Sequence, residues 1–185
     1  MMKRIFIAVR TEPGELFQRM YSSLRALLGN EKIVWVNMDK IHLTLVFLGN
    51  TEEDRIKAAG ILLKQKCTGF GEFSFTLSGT GVFGNLKDPK VIWSGIKNSD
   101  KLLELNKLII EGLKDTGFKI EDRQFRPHVT IARIKRINDI DTFRSAISRY
   151  HDVFFQEVHI KEVILFESIL KPGGPVYREL GKFVL

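Results

Sequence analysis

The chain contains the stretch "IHLTLVFLGN" at residues 41–50 and a related stretch, "RPHVTIARIK", at residues 126–135. Both have the same pattern, which is a histidine, any residue, a threonine and an aliphatic residue. The first motif begins at His42 and the second at His128, so the two are 128 − 42 = 86 positions apart. We therefore predict an internal repeat with an offset of 86 residues.

The surroundings of the two motifs match under this offset. Each half has, in order, an apolar strand, a helix with apolar residues at helical spacing, the motif strand, a second helix and a third strand. The matching segments are 4–9 with 90–95, 15–28 with 101–114, 42–45 with 128–131, 51–65 with 138–150 and 72–83 with 156–168. Thr51 and Asn138 are the predicted N-caps of the second helix in each half. A final strand is predicted at 176–180, and residues 81–90 are predicted as a loop that joins the two lobes. We accordingly predict one domain over residues 1–185, with the repeat divided at approximately 1–86 and 87–185.

Composition and charge limit the classes of protein to consider. Of the 185 residues, 44% are hydrophobic and 28% charged, as in a protein with a buried core. The longest apolar runs have only the length of a strand, so we expect no membrane span. The single cysteine, Cys67, cannot form an internal disulfide, which favours a reducing cytoplasm. The net charge of +7 favours an anionic partner, with phosphate or nucleic acid as the first candidates.

The histidines give no sign of a metal site. The four of them, at positions 42, 128, 151 and 159, have no spacing typical of zinc ligands, and paired cysteines are absent. We therefore expect no built-in metal and no cofactor. His151 and His159 have no threonine two residues later, and we interpret both as structural.

Each motif places a histidine and a threonine on the same side of a strand. Side chains alternate between the faces of a strand, so His42 and Thr44 share one face, as do His128 and Thr130. If the two halves pack with these faces inward, two imidazoles and two hydroxyls meet in one cleft. One neutral imidazole can then accept a proton while the other, protonated, donates one. Threonine hydroxyls can hydrogen-bond the oxygens of a phosphate.

Cations near the second motif can balance the charge of a phosphate. The basic stretch around this motif contains Arg123, Arg126, Arg133, Lys135 and Arg136. By strand parity Arg126 shares a face with His128, whereas Arg133 points away unless a bulge intervenes. Parity therefore favours Arg126 as the phosphate ligand, with Arg133 as the second candidate.

Other residues have weaker signals. A single His-x-Thr pattern is common, and its histidine is more often a core or surface residue than a catalyst. Four aromatic side chains are candidates for stacking on a base, although aromatics in strands are usually core residues. They are Phe47, Phe83, Trp93 and Tyr177. Basic residues such as Lys32, Lys40 and Lys64 are consistent with a solubilising role alone.

The two motifs, together with the opening "RIFIAV" and the closing "FESILKPGGPVYREL", resemble the 2H phosphoesterase superfamily. Within it the sequence is most similar to the RNA 2′,3′-cyclic phosphodiesterases, which are also called 2′-5′ RNA ligases. The resemblance covers nearly the whole chain. It implies an α+β fold of two pseudo-symmetric lobes around a central groove, each lobe an antiparallel sheet with helices on its outer face.

The resemblance also implies an activity and roles for the motif residues. The activity is metal-independent hydrolysis of an RNA 2′,3′-cyclic phosphate end to a 2′-phosphomonoester. His42 would be the proton donor and His128 the proton acceptor, while Thr44 and Thr130 would hold the phosphate. From the residues alone, pseudo-symmetry leaves the direction of proton transfer open.

Two other functions stay open at this point. The same site run in reverse would make 2′-5′ RNA ligation the principal activity. A non-catalytic RNA-binding module would use only the basic surface. The expected partners are RNA ends with a 2′,3′-cyclic phosphate and possible small cyclic nucleotides, and the default expectation is a cytoplasmic monomer.

Overall fold

The structure is a computed structural model that describes residues 2–85, 87–121, 124–172 and 174–185. Over these residues the chain forms nine strands and four α-helices. The strands are β1 Met2–Arg10, β2 Lys32–Trp35, β3 His42–Glu52, β4 Phe73–Asn85, β5 Asp88–Lys97, β6 His128–Arg136, β7 Phe154–Ile160, β8 Glu162–Lys171 and β9 Gly174–Val184. The helices are α1 Glu15–Leu27, α2 Glu53–Cys67, α3 Asp100–Asp115 and α4 Ile140–Ser148. None of the helices in the described part of the chain is long and apolar enough to cross a bilayer.

The strands form two antiparallel sheets. The first sheet has the order β3-β1-β8-β9, and the second sheet has the order β2-β6-β5-β4-β7. Helices α2 and α3 pack on the first sheet, and α1 and α4 pack on the second. The predicted α+β class, with two lobes and helices on the outer faces, is confirmed.

The helices form because their apolar residues recur at helical spacing. In α1 the buried residues are Phe17, Met20, Tyr21 and Leu24, which lie along one side of the helix. This side packs into a core that both lobes share, together with the inward residues of the strands. The groove between the lobes is therefore supported from both sides by one continuous core.

The predicted repeat can be compared with the observed order of elements when β2, β7 and β9 are left out. Under the offset of 86, the series β1-α1-β3-α2-β4 corresponds to β5-α3-β6-α4-β8. The last strand of each half pairs with strands of the other half, however. β4 pairs with β5 in the second sheet, whereas β8 pairs with β1 in the first. Neither 1–86 nor 87–185 therefore contains the strands of a complete sheet.

Two local predictions were wrong, and one strand was missed. Residues 81–85 and 87–90, predicted as part of a loop between lobes, belong to the hairpin of β4 and β5 inside the second sheet, and Leu86 lies outside the described residues. Segment 156–168, predicted as one strand, is split, because the chain leaves the second sheet after Ile160 and enters the first at Glu162. Strand β2 was not predicted.

Helix starts also differ from the expected ones. Asn138 is predicted as the N-cap of α4, but the side chain of Asp139 accepts the hydrogen bonds from the backbone N–H groups of Asp141 and Thr142. Thr51 is predicted as the N-cap of α2, but its hydroxyl donates to the carbonyl of Gly49 at 3.2 Å. Both differences are shifts of one residue at a helix end.

Candidate active site

The motif strands β3 and β6 bring both histidine–threonine pairs to one groove. His42 and His128 are the first residues of their strands. Together with Thr44 and Thr130 they line a groove of about 430 Å³. The alternate residues of both motifs are buried in the core on the opposite face, namely Leu43, Leu45, Val129 and Ile131. The predicted convergence of two imidazoles and two hydroxyls is what the fold produces.

Each imidazole is oriented by a backbone carbonyl two residues earlier. The Nδ1 atom of His42 lies 2.7 Å from the carbonyl oxygen of Lys40, and Nδ1 of His128 lies 2.7 Å from that of Arg126. Because a carbonyl can only accept, Nδ1 carries the proton in both neutral rings. Nε2 is then the atom that exchanges a proton in the groove. The Nε2 atom of His42 lies 3.1 Å from the hydroxyl oxygen of Thr44, which can donate to it.

The surroundings of both imidazoles favour the neutral form. Burial lowers the pKa of His42 below its ordinary value, the hydrogen bond to Lys40 opposes this effect, and the charge of His128 lowers the pKa further. Burial likewise lowers the pKa of His128, against its bond to Arg126, and the nearby charge of Arg133 adds to the lowering. The mutual effect of the two histidines means that protonation of one opposes protonation of the other.

Aromatic rings hold both histidines from the side. The ring of Phe6 lies 5.1 Å from that of His42, and Tyr177 meets His42 edge-on at 5.2 Å. On the second sheet Phe83 meets His128 edge-on at 4.7 Å with an interplanar angle of 90°. These contacts limit the rotation of the imidazoles and exclude water from their sides.

The structure reverses the ranking of the two arginines. In the pairing of β5 with β6, Ile92 faces Ala132 but the next residue, Trp93, faces Thr130, so Ile131 is an extra residue. This bulge shifts the alternation and turns Arg133 toward the groove, which it lines. Arg126, which parity favours, has an exposed side chain outside the groove lining, and its carbonyl is the atom that contacts His128. The structure thus brings Arg133, and not the side chain of Arg126, to the groove. Arg123 lies outside the described residues.

Sequence reasoning missed two further cations in the groove. Arg4 of β1 and Lys40, which precedes β3, both line it. Arg4 shares a face with Phe6 by strand parity, a signal that was available once β1 was recognised. Lys40 was assigned a solubilising role only, but it both lines the groove and orients His42 through its carbonyl.

The candidate stacking residues fall into two groups. Phe47 and Tyr177 line the groove, and the side chain of Phe47 is 64% exposed. Phe83 and Trp93 instead contact each other, with ring centres 5.6 Å apart, and Phe83 also contacts the ring of His128. The first pair is placed to contact a ligand, whereas Phe83 supports the His128 ring and Trp93 packs against Phe83.

Ser74, His159 and Glu72 form a separate cluster away from the groove lining. Nε2 of His159 lies 2.7 Å from a carboxylate oxygen of Glu72, and Nδ1 lies 3.2 Å from the Ser74 hydroxyl. His159 and Ser74 face each other across β7 and β4. The cluster thus ties two strands together, which agrees with the structural interpretation of His159.

Comparison with known proteins identifies relatives along the whole chain. A model of the 2′-5′ RNA ligase superfamily matches residues 35–168, which include both motif strands. An RNA 2′,3′-cyclic phosphodiesterase of Archaeoglobus fulgidus is 31% identical over 180 residues, covering 97% of this chain and 99% of the relative. One from Methanocaldococcus jannaschii is 34% identical over 174 residues, covering 94% and 96%.

Solved structures have the same architecture. A crystal structure from Thermus thermophilus superimposes with a TM-score of 0.78 at 28% identity, covering 98% of this chain and 97% of that one. Escherichia coli LigT complexed with 3′-AMP superimposes with a TM-score of 0.75 at 21% identity, covering 100% and 99%. This second likeness is one of fold.

Proposed function

Because the chain belongs to the 2′-5′ RNA ligase superfamily, we propose that it hydrolyses RNA 2′,3′-cyclic phosphate ends to 2′-phosphomonoesters. The observation that carries the proposal is the pair of imidazoles in one groove, each with Nδ1 held by a carbonyl and Nε2 left for proton transfer. Relatives that bear the name RNA 2′,3′-cyclic phosphodiesterase support this choice of substrate.

In the proposed reaction, one histidine activates water and the other protonates the leaving oxygen. Nε2 of His128 takes a proton from water as the water oxygen bonds to phosphorus. The bond from phosphorus to O3′ breaks, and Nε2 of His42 gives its proton to O3′. The products are a 2′-phosphate and a 3′-hydroxyl, and both imidazoles return to their starting states by exchange with solvent.

The charges around the two histidines support this direction of proton transfer. Arg133 lowers the pKa of His128 in addition to burial, which favours the neutral form that a base requires. For His42, burial and the charge of His128 lower the pKa, and the hydrogen bond to the carbonyl of Lys40 opposes them. When His128 is neutral this repulsion is absent, and a bound phosphate anion then favours protonation of His42.

The other groove residues stabilise the phosphate. In the proposal the hydroxyls of Thr44 and Thr130 donate to its non-bridging oxygens, and the guanidinium of Arg133 balances its charge; all three residues line the groove. Acid, base and charge stabilisation all come from side chains, so the proposed reaction requires no metal. Small 2′,3′-cyclic nucleotides contain the same reacting group and are proposed as substrates as well.

The test is an RNA octamer that ends in a 2′,3′-cyclic phosphate, incubated with enzyme in the presence of EDTA. We expect ³¹P NMR to show a 2′-phosphomonoester. His42→Asn and His128→Asn should each lower kcat/KM by at least about 10²-fold. His151→Asn is the matched control, because His151 is exposed and outside the groove lining.

Full activity of either catalytic variant, or a requirement for added metal, would contradict the mechanism. Adding an RNA with a 5′-hydroxyl to the same reaction separates hydrolysis from ligation. A joined 2′-5′ product as the main species would identify ligation as the principal activity. Binding without turnover would identify an RNA-binding module.

A further inference from the structure

A row of positive side chains continues along the second sheet beyond the catalytic groove. We propose that Arg136 and Lys32 extend the phosphate site at Arg133 into a track for the RNA strand that precedes the cyclic end. The enzyme would then prefer oligonucleotides to mononucleotide cyclic phosphates. This inference rests on the proposed function, because the track is defined as leading the RNA away from the phosphate that reacts.

The pairing of β2 with β6 places these cations on one face. Val34 faces Arg133, and Lys32 faces Arg136. Ile33 and Trp35 pack against the core, so the alternate residues Lys32 and Val34 point to the opposite side, where Arg133 lines the groove.

A second irregularity keeps Arg136 on the groove side. Ile33 faces Ile134 while Lys32 faces Arg136, so Lys135 is an extra residue between them. Arg133 and Arg136 are three positions apart and would alternate to opposite faces in a regular strand. The bulge at Lys135 restores them to the same face, beside Lys32.

These three cations have no acidic partner. Lys32, Arg133 and Arg136 are exposed, and none of them forms an ion pair with a carboxylate of the described residues. Other surface cations are paired, for example Lys3 with Glu53 at 2.7 Å and Lys97 with Asp152 at 2.6 Å. Uncompensated charge along one strand face is the feature that binds a phosphate backbone.

The row is long enough for more than one nucleotide. From Thr130 to Arg136 the partner strands advance by four positions, two along β5 and two along β2, which is roughly 13 Å of strand. Between Arg133 and Lys32 lies Val34, whose side chain is 54% exposed and can contact a sugar or base. Phosphate-binding cations with an apolar residue between them suit single-stranded RNA, whose bases are accessible beside its backbone.

The test compares two substrates. One is an RNA octamer with a 2′,3′-cyclic phosphate end and the other is 2′,3′-cyclic AMP. We expect kcat/KM to be at least tenfold higher for the octamer at low salt, and the ratio to fall as salt is raised. Arg136→Gln combined with Lys32→Gln should lower the octamer value about tenfold more than the cyclic AMP value.

A matched control removes the same charges elsewhere. Lys64→Gln combined with Arg149→Gln also removes one lysine and one arginine, from exposed positions on α2 and after α4. This control should leave the substrate ratio as in the wild type. The inference is overturned if the two substrates react equally well, if the track variant keeps the wild-type ratio, or if the control variant changes it as much.

A binding arm separates this inference from the proposed function. The affinity of a fluorescent RNA octamer with a 2′-phosphate end is measured by anisotropy over a salt series. The track variant should bind more weakly and with a slope of log Kd against log salt reduced by about 1.4, since each lost contact accounts for about 0.7 on single strands. If neither substrate is hydrolysed but this pattern holds, the proposed activity fails and the track stands. An unchanged slope overturns the track whether or not hydrolysis occurs.

Discussion

Leu45 of β3 and Ile131 of β6 are bulge residues at equivalent positions of the repeat, 131 − 45 = 86 residues apart. Each bulge directly follows the threonine of its motif. It returns the third residue after that threonine to the groove, which is Phe47 in the first half and Arg133 in the second. The repeated motif is therefore six residues long, with its first, third and sixth positions facing the groove.

Removal of the Arg133 guanidinium should impair catalysis through two effects. Arg133→Met should lower kcat/KM by about 10²-fold, because it removes a charge-assisted contact to the phosphate. It should also raise the pKa of His128, since the Arg133 charge lowers that pKa in the wild type. The pH–rate profile of the variant measures this shift as a move of its acidic limb to higher pH.

Arg126→Met is the matched control for this change. Only the backbone carbonyl of Arg126 contacts His128, so loss of its side chain should leave kcat/KM within a few-fold of wild type. A severe loss of kcat/KM in Arg126→Met together with a mild one in Arg133→Met would contradict this expectation. It would identify Arg126, which strand parity favours, as the phosphate ligand.

The pH dependence should differ between kcat/KM and kcat. With one histidine as base and the other as acid, kcat/KM should give a bell-shaped pH profile. Burial lowers the pKa of both His42 and His128, so in the free enzyme both limbs of this profile lie below the ordinary imidazole value of 6.5. The maximum of kcat/KM should therefore lie on the acidic side of this value. In the complex, the phosphate anion stabilises protonated His42 and moves the alkaline limb of kcat to higher pH. Initial rates over a pH series test both statements, and a kcat/KM maximum above pH 6.5 would contradict the first.

Two glycines separate backbone strain from steric overlap. Gly79 has φ +70°, and an added Cβ would lie 2.3 Å from the carbonyl oxygen of His151. Gly69 has φ +79°, but an added Cβ would have no neighbour within 4 Å. We expect Gly69→Ala to lower the free energy of unfolding by about 1 kcal/mol and Gly79→Ala by roughly 3 kcal/mol or more. Gly79 is an extra residue in the pairing of β4 with β5. Urea denaturation measures the free energy of unfolding of both variants, and equal losses would show that the backbone around Gly79 relaxes to admit the new methyl group.

The halves of the chain should not fold separately. Fragment 1–86 supplies β4 to a sheet whose β5 and β6 are absent, and fragment 87–185 supplies β8 without β1. Each fragment alone should give the circular dichroism and amide spectra of an unfolded chain. Mixing them should restore structure and activity, and a folded spectrum of either fragment alone would contradict this expectation.

The sequence was sufficient for the elements that depend on local pattern. The paired motifs, the helices and the offset of 86 could be predicted, because apolar spacing and residue identity encode them directly. The shared strand face of His42 with Thr44, and of His128 with Thr130, followed from strand alternation, whereas their meeting in one groove depended on how the two halves pack. Bulges could not be predicted, because they depend on which partner strand a residue meets, and so Arg133 was ranked below Arg126.

The exchange of β4 and β8 between the sheets could not be predicted from local sequence pattern for a related reason. Segment 156–168 mixes polar and apolar residues and contains no proline or glycine that would mark the passage from one sheet to the other. The burial patterns do differ: β7 alternates, as an edge strand does, whereas Val163 to Phe166 of β8 are buried without interruption. Only the pairing of distant strands decides where one ends and the next begins.

The exchange of β4 and β8 also has a consequence for ancestry. A protein made of one half would have to lend its third strand to a second copy and borrow one in return, so its smallest closed assembly would be a swapped homodimer. Such a dimer would have to use identical residues on both walls of its groove. Fusion into one polypeptide removes that constraint, so that an aromatic ring at Phe47 and a cation at Arg133 can occupy equivalent places. Such divergence gives the two equivalent histidines different environments even before a ligand binds.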